Sequence, residues 1–372
     1  MKFKNILIVC TASLMWSCAN KSKNENADVY DITKILTNTA DNIIIPQLEN
    51  HNNSTKELEA ALTEYNSDPT LDKLNSLRSK FKDSYISWQK CSFINFGNSN
   101  FEKLNESLNN FPVTDLSQKT IDTYPDKGND FEEDEYKAAK AYPAFDYVLF
   151  KGEDSEIISN LSDKHKDYCS KNIDYIKSKS EEAYLFWKNN TDGFYSKFKS
   201  DDTKTTTSAF TKYVNAFCKD IEVLKNAQLK APGGQEFYIL PVPGESEALY
   251  SGYSLDLMKS HLENLERIYK GEDISGNNGI GFDDYLISLG TKRKVGDDGV
   301  EEDLNELILT TFTTIEEKLN ALNGSINEAA QNQKETVNEL YSNVKKLVGF
   351  TKTDMAFAFG VNINYADPQD GD

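Results

Sequence analysis

The sequence predicts an all-α protein of two packed helical bundles built from long amphipathic helices. Turn formers are scarce: 372 residues contain 9 prolines and 19 glycines, fewer than a β-sandwich or barrel of this length needs. The prolines also cluster, which leaves Ala144–Ala231 and Gly244–Asp367 free of helix breakers. Within those stretches apolar residues recur every three or four positions. Phe210, Val214, Phe217, Ile221 and Leu224 form one stripe, and Leu255, Met258, Leu262, Leu265 and Tyr269 a second. Leu304, Ile308, Phe312, Ile315, Leu319, Leu322 and Ile326 form a third. Single stripes on polar helices are bundle core, not a cofactor box.

The first 17 residues stand outside this pattern. Lys2 and Lys4 precede a mostly apolar run, Ile6–Trp16, shorter than the ~18–20 residues of a membrane span. Such a start is a secretory signal. Its end, Leu14-Met15-Trp16-Ser17-Cys18, resembles a lipoprotein signal, with Cys18 lipidated. The plainer alternative is an ordinary secreted protein with an incidental cysteine. Residues 18–28 read as a flexible polar tether. Ala19 after the cysteine implies, by analogy with such lipoproteins, the outer membrane of a Gram-negative envelope, facing the periplasm or the cell surface.

Residues 29–231 read as the first bundle. A helix from about Tyr30 is expected to kink at Pro46. A second is expected to start at Asp68-Pro69, with Asp as cap and Pro in the first turn. Its core stripe is Leu71, Leu74, Leu77, Phe81, Tyr85 and Trp88. Polar loops are expected at 97–100, 126–130, 232–236 and 271–281. The 232–244 segment (PGGQEFYILPVPG) is the clearest break in composition and reads as a linker. Residues 245–372 then form the second bundle. No strand hairpin is expected, and Pro241 and Pro243 limit any extended run over Phe237–Val242.

Charge narrows the function. Sixty acids against 41 bases give a net charge of -19, which repels phosphate backbones and excludes a nucleic-acid partner. The mature cysteines Cys91, Cys169 and Cys218 are odd in number with no CxxC, so no disulfide framework is expected, and one bridge stays open. The histidines His51, His165 and His261 show no HExxH, and no metal site is visible by spacing. Gly276–Gly281 follows no strand and is no dinucleotide loop. Asp367, Asp370 and Asp372 lack the spacing of an EF-hand calcium loop. Asp146 is the conspicuous carboxylate, flanked by Phe145, Tyr147, Leu149 and Phe150. In such company it is either satisfied by a helix N-terminus or chemically poised.

Several segments, in order, resemble the imelysin-like proteins of bacterial envelopes. Phe81–Gly97 is similar to the family's aromatic helix, and Ile121–Asp126 (IDTYPD) to its Asn-Thr-Trp/Tyr-Pro segment. Ala141–Phe150 sits where the family carries GxHxxE and a Tyr-Leu-Leu-Phe-like run. Trp187, Glu247–Leu255, Tyr269–Gly271 and the closing Asp370-Gly-Asp372 also fit. The resemblance implies a pseudo-duplicated fold with a cleft between its halves, formed by Asp122, Tyr124, Asp126, Tyr142, Asp146, Tyr147, Ser251 and Ser254. The motif Gly falls on Ala141, the His on Pro143 and the Glu on Asp146. A Glu frequent after the aromatic helix appears as Ser92. Without the imidazole, neither a catalytic residue, a cofactor nor tight zinc or iron(II) is expected. The reading is a non-enzymatic envelope component for a small polar ligand or chelated metal, connected with iron or nutrient uptake, with envelope protein partners. A metallopeptidase and an assembly scaffold are the alternatives.

Overall fold

A helix that must absorb a proline has few options, and the first one shows how this chain solves it. Pro46 lacks the N–H that an α-helix would use. Helix α1 (Ile32–Asn38) opens into one π-helical stretch, Thr39–Ile44, and continues as α2 (Ile45–Ser67) with Pro46 in its first turn. The wider turn takes up Pro46 at the place of the expected kink. The computed structural model describes residues 30–98, 101, 103–124, 131–133, 136–295 and 299–365. Cys18, the tether, Asp126 and the terminal acids Asp367, Asp370 and Asp372 lie outside them. Asp31–Asp372 clusters as one compact unit.

Helix α3 (Leu71–Gln89) is capped by Thr70, whose hydroxyl accepts from Lys73 N at 3.4 Å. The expected start at Asp68-Pro69 is two residues early, because Asp68 ends α2 and its carboxylate reaches Lys73 Nζ instead. Leu74, Leu77, Phe81, Tyr85 and Trp88 are buried as the stripe requires, whereas Leu71 is exposed. Short helices follow: α4 (Leu104–Leu108), α5 (Asp115–Asp122), α6 (Ala141–Phe150) and α7 (Asp154–Ser162). Then come α8 (Lys166–Lys188), α9 (Phe194–Ser200) and α10 (Ala209–Val223), the last running into a second π stretch, Leu224–Lys230. Helix α2 packs on α3 and α8, and α6 on α8.

Beyond the 232–244 loop, α11 (Ser254–Lys270) packs against α3, and α12 (Phe282–Leu289) follows it. Next is a hairpin that the sequence reading did not expect. Strand β1 (Lys292–Val295) pairs antiparallel with β2 (Val300–Asp303), Lys292 opposite Asp303 and Lys294 opposite Glu301. Three of its four facing pairs carry opposite charges and the fourth is Val295 opposite Val300, so cross-strand pairing needs no apolar alternation. Helix α13 (Leu304–Ala321) is capped by Asp303. Its stripe does not continue unbroken to Ile326. Gly324, with φ of 75°, turns the chain, and Ser325 and Glu328 form a capping box that starts α14 (Ile326–Asn332). Helix α15 (Lys334–Val348) leads through a third π stretch, Gly349–Met355, into α16 (Ala356–Phe359). All three predicted stripes are buried, and among the described residues the result is all-α packing with one small hairpin. Cys91, Cys169 and Cys218 are buried and unpaired.

Candidate functional site

Asp146 sits in the middle of α6 with 2% exposure. Its Oδ2 accepts from Tyr250 N at 2.8 Å and its Oδ1 from Ser251 N at 3.0 Å. These amides belong to the turn that feeds α11, so the carboxylate holds the entry of that helix in place. Burial raises its pKa to about 6, with Glu247 adding to the rise, against the opposing pull of the Ser251 side chain and the two amides.

Around this contact three of the predicted segments meet. The Tyr147 hydroxyl donates to Asp122 at 3.1 Å, and the Tyr147 ring lies edge-on to Tyr250, centroids 5.4 Å apart. Asp122 also meets His165 Nε2 at 2.9 Å and Lys164 Nζ at 3.5 Å. Burial would raise the Asp122 pKa, but these partners outweigh it and hold the carboxyl below its ordinary value. His165 was not among the predicted residues. Tyr142 is fully buried, stacked on Tyr85 at 4.7 Å, with its hydroxyl 2.7 Å from Ser84 Oγ. Tyr124 is equally buried, its ring against Phe131, Tyr136 and Tyr168. Ser254 Oγ accepts from Ile326 N at 2.9 Å and is a packing residue.

The structure also assembles a polar centre that the sequence reading missed. Glu247, 2% exposed, accepts from Gln228 at 2.5 Å, Gln89 at 2.6 Å and Asn109 at 2.7 Å. Gln228 Oε1 meets His261 Nδ1 at 3.0 Å, and His261 Nε2 meets Asp220 Oδ2 at 2.9 Å. Ser92 Oγ donates to the same Asp220 carboxylate at 3.1 Å. Gln228 stands in the π stretch after α10. Burial alone would lower the His261 pKa, but the charge and hydrogen bond of Asp220, helped by Glu247, hold it above its ordinary value. His51 shows the opposite case, with burial alone pulling it down to about 3.

A groove of about 370 Å³ runs between α3, α11 and α13, lined by Lys82, Lys90, Lys259, Asp256, Glu263, Glu266 and Ser260 among others. It opens beside the 250–254 turn, where Lys82 Nζ lies 4.6 Å from the Tyr253 ring centre and 2.5 Å from Asp256. Among the described residues no three His, Cys, Asp or Glu side chains gather as a metal would need.

The family model described as Imelysin, of the peptidase class, matches residues 44–349. The chain belongs to the imelysin family. A crystal structure of an imelysin-like protein from Psychrobacter arcticum 273-4 superposes with a TM-score of 0.66 at 14% identity, covering 91% of this chain and 99% of that one. That of a "putative iron-regulated protein A precursor" from Parabacteroides distasonis ATCC 8503 gives 0.65 at 12% identity, over 88% and 97%. At these identities the likeness concerns the fold. No curated protein matches the chain.

Ala141, which the resemblance sets at the position of the motif glycine, has φ of 56°, a left-handed backbone that favours glycine. Asn172 clamps it, accepting from Ala141 N at 2.6 Å and donating to Ala141 O at 3.1 Å. An Ala141→Gly substitution is expected to stabilise the protein by up to about 1 kcal/mol, strain relief of ~1–2 kcal/mol being partly offset by the unfolded-state entropy of glycine. Urea unfolding midpoints check this; a lower midpoint would show that the lost methyl contacts dominate.

For the metal that a motif histidine and glutamate would hold, Pro143 and Asp146 are a poor fit. The Pro143 side chain offers no donor atom. Both Asp146 oxygens already face backbone N–H groups.

Proposed function

We propose that this imelysin-family protein is a non-enzymatic, ligand-binding lipoprotein of the cell envelope, held through Cys18 and connected with iron or nutrient uptake. The observation that carries this reading is the double amide contact of Asp146. The carboxylate that a hydrolytic site would aim at an ion instead fastens the turn at Tyr250 and Ser251. The groove beside that turn supports the binding half of the proposal. Its volume of about 370 Å³ falls in the range of small-molecule sites. Interspersed lysines and carboxylates suit a small polar ligand bearing both charges, or a chelated metal, better than a bare ion. The iron-regulated name of the Parabacteroides protein points the uptake reading toward iron. Among the described residues no helix is long and apolar enough to cross a membrane.

Two measurements test the proposal. Calorimetric titration of chelator-treated protein with zinc or iron(II) is expected to give no submicromolar one-to-one binding, because oxygen-only hydroxyl donors are poor ligands for these ions. Such binding, lost in Asp146→Asn, would overturn the reading. Incubation with unfolded peptides and zinc is expected to give no cleavage. Chelator-sensitive cleavage would reinstate the metallopeptidase.

A further inference from the structure

The 236–242 loop exposes large apolar side chains without being loosely held. Phe237 is 69% exposed, Ile239 87% and Leu240 72%. Yet the base of the loop is fixed from several sides. Val242 N donates to Ala231 O at 2.9 Å, and Gln235 Nε2 donates to Asn338 Oδ1 at 3.0 Å. Gly234 has φ of 65°, and a Cβ there would stand 2.7 Å from Pro241 N. Glu236 is gripped by Lys230 at 2.9 Å and Lys345 at 3.0 Å. A rigid base that projects Phe, Ile and Leu into water implies something apolar to receive them.

The surface beside the loop tells what that is. Lys345, the partner of Glu236, also lines a hollow of about 510 Å³ with Arg293, Lys294 and Lys346. Ser342, Gly349 and Phe350 complete the lining, so it holds four cations and no carboxylate. Two of these cations pair with acids outside the lining, Arg293 with Asp354 at 2.6 Å and Lys345 with Glu236 at 3.0 Å, and Glu301 stands opposite Lys294 in the strand register. In a chain of net charge -19 four cations thus gather around one hollow with no acid in its lining. An apolar protrusion next to a cationic hollow is the pairing that a membrane interface rewards, with the protrusion below the headgroups and the cations among their phosphates.

We propose that the 236–242 loop and the hollow of Arg293, Lys294, Lys345 and Lys346 form one membrane-docking surface, Phe237, Ile239 and Leu240 entering the bilayer interface and the hollow receiving an anionic lipid phosphate. The surface works whether or not a lipid is attached at Cys18, and it orients the body on the membrane.

The test uses the full chain with an environment-sensitive fluorescent amino acid in place of Ile239, so that the signal is local and independent of any anchor. On vesicles of phosphatidylethanolamine and phosphatidylglycerol the emission is expected to shift to the blue and to be quenched by lipid-borne bromine. The double substitution Lys294→Gln and Lys346→Gln, which leaves the Lys345 grip on Glu236 in place, is expected to weaken that binding at least threefold, and Phe237→Ser with Leu240→Ser at least tenfold. Emission that stays water-like on vesicles overturns the proposal. A shift that needs an added envelope protein overturns it in favour of a protein partner. Equal shifts on phosphatidylcholine vesicles overturn the role of the hollow. Circular dichroism of each variant confirms that the fold is retained.

Discussion

Asp220→Ala is expected to destabilise the protein by about 3–5 kcal/mol, the loss found when one member of a buried charge pair is removed. The geometry explains why. His261 has 0% exposure, and both of its ring nitrogens face acceptors: Nε2 meets Asp220 Oδ2 and Nδ1 meets Gln228 Oε1. The Gln228 amide is not free to turn, because its Nε2 donates to Glu247 at 2.5 Å. With both ring nitrogens facing acceptors and its pKa held above the ordinary value, His261 favours the imidazolium form, with Asp220 beside it as counter-charge. Without Asp220 the ring must give up its proton or leave a cation uncompensated in the core. Asp220→Asn keeps an acceptor for Nε2 and is expected to lose less.

The same pair gives stability a pH dependence. The folded pKa of His261 lies above its ordinary 6.5. The imidazolium therefore stabilises the fold fully below about pH 6.5, and that contribution fades as pH rises through the folded value. Urea unfolding of the parent protein between about pH 6 and pH 9 should show this loss, and Asp220→Ala should not. A parent protein and variant with parallel pH profiles would mean that His261 is neutral in the core.

The contrast between what the sequence showed and what it hid follows from chemistry. Apolar stripes are periodic, and burial enforces the period, so Phe210 to Leu224 and Leu255 to Tyr269 could be placed before any coordinates. Asp146 was legible because a carboxylate among aromatics breaks a pattern. Its partners were not, since it binds backbone amides, which every residue has. The β1–β2 hairpin was hidden because Lys-Arg-Lys and Glu-Glu-Asp strands carry no apolar alternation; the facing charges were the only signal. The polar centre was hidden for another reason. Gln89, Asn109 and Gln228 are neutral amides that usually lie at the surface, and nothing local says that they converge on Glu247. Asp220, next to Ile221 in a buried stripe, was the one available clue. The π stretch that carries Gln228 is a register change, and helical periodicity is blind to it.

Asp146→Ala is expected to cost about 2–4 kcal/mol at neutral pH, and Asp146→Asn less than about 1 kcal/mol. Alanine leaves the Tyr250 and Ser251 amides without their acceptor, at ~1–3 kcal/mol for each buried group. Relief of a buried charge offsets part of that. Asparagine removes the charge and keeps one carbonyl oxygen for the pair of amides. The pH profile separates the two effects. The Asp146 pKa rises from its ordinary 3.8 to about 6, with burial as the main cause. Between those values the folded state holds a proton that the unfolded chain has released. The stabilising contribution is therefore complete below about pH 4 and is lost as pH rises through 6, a change of about 3 kcal/mol. Protonation leaves one carboxyl oxygen able to accept freely, so the turn at 250–251 keeps an anchor throughout. Urea unfolding midpoints measured between about pH 4 and pH 7 should fall in the parent protein and stay flatter in Asp146→Asn. Equal slopes in the two proteins would show that Asp146 titrates as an exposed carboxylate does. An Asp146→Ala protein as stable as the parent would show that water can replace the carboxylate at the entry to α11.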